Sequence, residues 1–82
     1  MGYTMSKAEK ILEGLGGKTN ISELEACITR LRVEVIDQAK VDEDALRATG
    51  AFGVVKSGSV VQVVVGPEAD TLAEDIAQLN KE

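Results

Sequence analysis

Between Glu23 and Val35 apolar and polar residues alternate, and the alternation changes phase once. Leu24, Ala26 and Ile28 share one parity, leaving Glu23, Glu25 and Cys27 on the other. From Leu31 onward the apolar residues are Leu31, Val33 and Val35, with Arg30, Arg32 and Glu34 between them. Side chains along a strand point strictly to opposite faces, so one strand cannot change phase without a bulge or a reversal. The pattern therefore predicts two strands, over residues 22–28 and 30–36, joined by a tight reversal near Ile28 and Thr29. With both apolar sets turned to the core, Cys27, Arg30 and Arg32 share the opposite face at the hairpin tip.

The flanking segments supply helices to cover such a sheet. Ala8, Ile11, Leu12 and Leu15 form one helical stripe, with Ser6 placed to cap it, Glu9 three residues later, and Gly16-Gly17 to stop it. Lys18-Thr19-Asn20 reads as a loop. Asp42-Glu43-Asp44 opens a short helix that Gly50 ends, its carboxylates at the positive end of the helix dipole. A second hairpin follows over residues 52–56 and 59–65, with its turn at Ser57-Gly58. Gly66-Pro67-Glu68 starts a last helix whose stripe is Ala69, Leu72, Ala73, Ile76 and Leu79. The order is α-β-β-α-β-β-α. Its tight hairpin connections favour an α+β fold, a four-stranded antiparallel sheet with helices packed on one face.

Composition narrows the chemistry. Eighty-two residues make a single domain over 1–82, with residues 1–5 expected to be a flexible N-terminus. Fourteen acidic residues against nine basic ones give a net charge of −5, which argues against binding through the nucleic-acid backbone. With Tyr3 and Phe52 as the only aromatic residues, stacking platforms for single strands are missing too. No apolar run is long enough to span a membrane and no signal peptide opens the chain, so a cytoplasmic location is expected. There is no histidine, which removes histidine-based nucleophilic catalysis and histidine-ligated metals from what this chain supplies alone. A lone cysteine excludes an internal disulfide, a CxxC redox pair and a zinc knuckle. No metal and no cofactor is expected. Any nucleophile is then Cys27.

Cysteine is among the most buried residue types, so a small apolar filler is the plain alternative for Cys27. Its parity places it instead on the polar face beside a turn. Arg30 and Arg32 favour the thiolate, the nucleophilic form, while Glu25 on the same face opposes it. Alone, the arginines are solvated positions of an amphipathic strand; with Cys27 they make a nucleophile flanked by two oxyanion binders, a set suited to a phosphoryl group. Backbone N–H groups of the turn after Cys27 add further donors. The C-x5-R spacing of cysteine phosphatases is absent, because Val33 occupies the arginine position. Gln62 interrupts the valine-rich strand on the face opposite Val61, Val63 and Val65, and reads as a polar surface position or a partner contact.

Asn20-Ile21 followed by Leu24-Glu25-Ala26-Cys27-Ile28-Thr29-Arg30-Leu31-Arg32 resembles the active-site signature of enzyme IIB domains of the bacterial sugar phosphotransferase system, in the glucose/N-acetylglucosamine/glucoside branch. Gly16-Gly17, residues 50–55 and Val61-Gln62 extend the resemblance over nearly the whole chain from Ala8. The resemblance implies a phosphocysteine carrier. Cys27 takes a phosphoryl group from the phosphohistidine of enzyme IIA and passes it to a sugar bound by membrane-embedded enzyme IIC. Ile28, Thr29, Arg30 and Arg32 are then the expected phosphate-binding positions. The expected carrier is a cytoplasmic monomer, peripheral to the inner face of the membrane through enzyme IIC, with no nucleic-acid partner. A thiol-based redox or regulatory binding module is the alternative.

Overall fold

Ser6 and Glu9 form the expected capping box: the Ser6 hydroxyl accepts from the Glu9 amide, and the Glu9 carboxylate accepts from the Ser6 amide at 2.8 Å. This start of helix α1 (Lys7–Gly14) comes from a computed structural model describing residues 6–80; the N-terminal segment expected to be flexible, 1–5, lies outside them. Strands β1 (Ile21–Cys27) and β2 (Arg30–Val35) follow, then helix α2 (Glu43–Ala48), strands β3 (Gly53–Ser57) and β4 (Val60–Val64), and helix α3 (Ala69–Asn80). Asp42 caps α2 by accepting from the Ala45 amide. Pro67 sits in a 3-10 turn, Gly66–Glu68, that leads into α3.

The sheet is antiparallel in the order β1-β2-β4-β3. This is the α+β arrangement that the hairpin pattern implies. Its inner face, built from Leu31, Val33, Val61 and Val63, meets Ile11 and Leu15 of the first helical segment, Leu46 of α2, and Ala69, Leu72 and Ile76 of α3 in one buried cluster. No helix among the described residues is long and apolar enough to cross a membrane.

Three local readings change. Ile28 does not continue the inward set of β1: it lies in the turn and is 85% exposed. The second turn falls one residue later, at Gly58-Ser59, because Ser57 still pairs with Val60, and Gly58 takes the positive φ (59°) at the first turn position. Asn20, read as a loop residue, is buried at 2% exposure. Its amide group donates to the carbonyls of Leu15 (2.7 Å) and Asp37 (3.0 Å), and its carbonyl accepts from the Asp37 amide (2.8 Å). One side chain thus ties the end of α1 to both outer ends of the β1–β2 hairpin.

Candidate functional site

Strand register places the polar side chains of the uncovered sheet face in rows. Cys27 of β1 stands opposite Arg30 of β2, which stands opposite Val64 of β4 and then Gly53 of β3. The next row reads Glu25, Arg32, Gln62, Val55, and the one beyond begins Glu23, Glu34, Val60. Cys27 is a free, exposed thiol at the tip, as its parity predicts.

The two guanidinium groups have different partners. Arg30 reaches diagonally to Gln62, donating from Nη1 to Oε1 at 2.9 Å. Arg32 faces Glu25 directly across the strand pair, with Nη1 3.9 Å from Oε2. A guanidinium has five N–H donors, so neither contact exhausts it. Gln62 is the site residue that residue patterning left undecided; the signal was there, a polar side chain in a valine run, but its meaning depends on β4 lying next to β2.

The turn joining Cys27 to Arg30 is unusual. Ile28 has φ 60°, the one positive value at a non-glycine residue among those described. A positive φ at the first loop position but not the second is the type II′ pattern, in which that first position normally belongs to glycine. For a β-branched residue this is a genuine outlier, of the kind that persists only where surrounding structure enforces it. The enforcement is visible: the Thr29 carbonyl accepts from the Val65 amide (3.0 Å) and the Gly66 amide (2.8 Å), pinning the turn to the junction between β4 and α3. Gly66 itself has φ 82°, and a Cβ there would lie 3.0 Å from Cε2 of Phe52. The amides of Ile28 and Thr29 donate to no acceptor among the described residues, leaving two N–H donors beside the thiol.

All five expected site residues, Cys27, Ile28, Thr29, Arg30 and Arg32, therefore fall within one hairpin tip. Ile28 and Thr29 offer backbone donors; Cys27, Arg30 and Arg32 offer side chains. A groove of about 390 Å³ is lined by Lys10, Glu13, Gly14, Asp42, Ala45 and Thr49 in the helical layer, away from these groups. The thiol instead stands on open surface, with Ile28 and Phe52 (79% exposed) as large apolar side chains beside the turn.

Fold and site define an open-faced α+β domain that presents one thiol with two guanidiniums and free amides at a hairpin tip. The phosphotransferase system EIIB family model matches residues 9–42, which run from within α1 through the entire β1–β2 hairpin. The chain is 60% identical over 74 residues to the N-acetylglucosamine-specific EIIB component of the PTS system of Streptomyces coelicolor, covering 90% of this chain and 96% of that protein. Among solved structures, one domain of the PTS system IIabc component from Clostridium difficile superposes with a TM-score of 0.75 at 22% identity, over 89% of this chain and 77% of that one, a likeness of fold. The chain belongs to the EIIB family of the phosphotransferase system, which carries a phosphotransferase role in sugar uptake.

Proposed function

We propose that this chain works as one monomeric IIB domain and a phosphocysteine carrier in N-acetylglucosamine uptake. The Cys27 thiolate attacks the phosphorus of a phosphohistidine on enzyme IIA; the S–P bond forms, the N–P bond breaks, and the ring leaves as neutral imidazole, the proton given up by the thiol to solvent being matched by one taken up on the ring. A hydroxyl oxygen of the sugar bound by enzyme IIC then attacks the same phosphorus, the S–P bond breaks, the hydroxyl proton passes to a base or solvent, and the thiolate is regenerated. The observation carrying this reading is the hairpin tip: an exposed thiol opposite Arg30, with Arg32 in the next row and two unused amide donors in the turn. A thiolate needs no general base at neutral pH, which fits a chain without histidine. Oriented N–H donors then meet the phosphoryl charge, the dominant requirement of phosphoryl transfer.

The sugar assignment is supported by the 60% identical Streptomyces protein. Arg30 and Arg32 serve donation to sugar more than acceptance from IIA, since IIA brings its own groups around its phosphohistidine. The open setting of Cys27, with the exposed Ile28 next to it in the turn, supports delivery by docking proteins rather than by a pocket-bound small molecule. The carrier acts at the cytoplasmic side of the membrane through IIC. Reconstituted transfer from phospho-IIA through this chain to N-acetylglucosamine, with membranes carrying IIC, tests the reading. Cys27→Ser should abolish sugar phosphate formation while leaving the fold intact; sugar phosphate at the wild-type rate would refute it.

A further inference from the structure

The Glu25–Arg32 contact bears directly on how firmly the site holds its cargo. Glu25 and Cys27 are two residues apart on one face of β1, about 7 Å along the strand. Glu25 stands directly opposite Arg32, and its carboxylate lies 3.9 Å from the guanidinium. Both side chains are partly solvated, with relative exposures of 63% and 44%, so neither is locked by packing. Arg30, by contrast, is held by the neutral Gln62. Among the described residues, one arginine thus has an anion as its resting partner and the other does not. A phosphoryl group on Cys27 adds a second anion, carrying about two negative charges, within reach of the same sheet face.

We propose that Glu25 is a positioning residue that sets the transfer potential of the phosphorylated site by competing with the phosphoryl group for Arg32. This rests on the phosphocysteine reading above. In the thiol form Glu25 holds the Arg32 guanidinium across the strand pair. In the phosphorylated form Arg32 is shared between carboxylate and phosphoryl oxygens, and the two anions repel along β1. The phosphocysteine is therefore less stable than two unshared arginines would make it. That serves a carrier, because a phosphoryl group bound too tightly is not passed on. No bond to Glu25 forms or breaks at any step.

The test compares wild type, Glu25→Gln, Glu25→Asp and Glu23→Gln in two half-reactions: the phosphoryl exchange equilibrium with phospho-IIA, read by intact-protein mass spectrometry, and transfer to N-acetylglucosamine with membranes carrying IIC. Glu25→Gln should move the equilibrium toward phosphocysteine by about five- to tenfold, the effect of removing one charge at this separation in a half-exposed site, and slow transfer to sugar. Glu25→Asp, which keeps the charge, should stay within about twofold of wild type. Glu23→Gln removes an equal charge one row farther away and should also stay within about twofold. Values for Glu25→Gln at the wild-type level in both half-reactions, in a protein that is phosphorylated normally, would overturn the role of Glu25 alone. An equal shift from Glu23→Gln would overturn it too, replacing a specific contact with net charge. A wild-type protein that never acquires phosphate on Cys27 would overturn the underlying reading together with this proposal.

Discussion

Replacing Ile28 with glycine should stabilise the protein, although it deletes a large apolar side chain. The Ile28 side chain is 85% exposed, so its removal forfeits almost no burial. Its φ of 60° places an L-residue with a branched Cβ in the left-handed region, at a cost of about 1–2 kcal/mol that glycine avoids. Against this, glycine adds about 0.4–1 kcal/mol of conformational freedom to the unfolded chain. The difference is a net gain of about 0.5–1 kcal/mol, or a rise in Tm of about 2–8 °C for a domain of this size. Urea denaturation followed by far-UV circular dichroism would read it, with Ile28→Ala as the partner variant that keeps the positive φ. Alanine should not share the gain. Destabilisation by Ile28→Gly of more than about 1 kcal/mol would mean instead that the turn is unstrained or the side chain packed. Docking separates from stability in the same pair: both variants should raise the KM for phospho-IIA, because both remove the apolar side chain beside Cys27.

Other outcomes follow from the same contacts. Asn20→Ala should cost about 2 kcal/mol by chemical denaturation, from three lost hydrogen bonds and the buried Leu15 carbonyl left without its partner. Gly66→Ala should cost about 1–2 kcal/mol, because φ 82° disfavours a Cβ. The same variant should slow phosphorylation by displacing Phe52 and loosening the Thr29 carbonyl, both measurable by single-turnover transfer from phospho-IIA. Arg30→Lys and Arg32→Lys should leave acceptance from phospho-IIA nearly intact and severely slow donation to sugar, measured as two radiolabel half-reactions; equal losses would mean that the arginines only hold the site together. Glu23→Lys should stabilise the fold by about 0.5 kcal/mol, because Glu23 and Glu34 stand directly opposite each other as like charges.

The phase change between Leu24 and Val35 carried most of the fold and most of the site. Alternation in a strand is geometric, so once the hairpin was placed, Cys27, Arg30 and Arg32 had to share a face. The register of β1 on β2, and hence the pairing of Glu25 with Arg32, depends on the strand ending at Cys27 and leaving Ile28 and Thr29 as a two-residue turn. Ile28 escaped because its parity matches the inward set, and nothing in side-chain chemistry announces that the strand ends one residue earlier. The partnership of Arg30 with Gln62 was not legible because it depends on strand order: β4 lies between β2 and β3, and only this brings residues 32 positions apart together. Asn20 departs from its sequence pattern for a different reason. A polar residue between two glycines and a strand looks solvated, and its burial is stabilised by backbone partners that sequence patterning does not reveal.

On the proposed mechanism Cys27 carries the phosphoryl group. Incubating the protein with phospho-IIA in the absence of IIC and sugar, then mapping modified peptides by mass spectrometry under conditions that preserve thiophosphates, tests it most directly. One added phosphoryl group is expected, located on Cys27, lost on return to IIA and absent from Cys27→Ser. Phosphate on any other residue, or a wild-type protein left unmodified by an active donor, would contradict it.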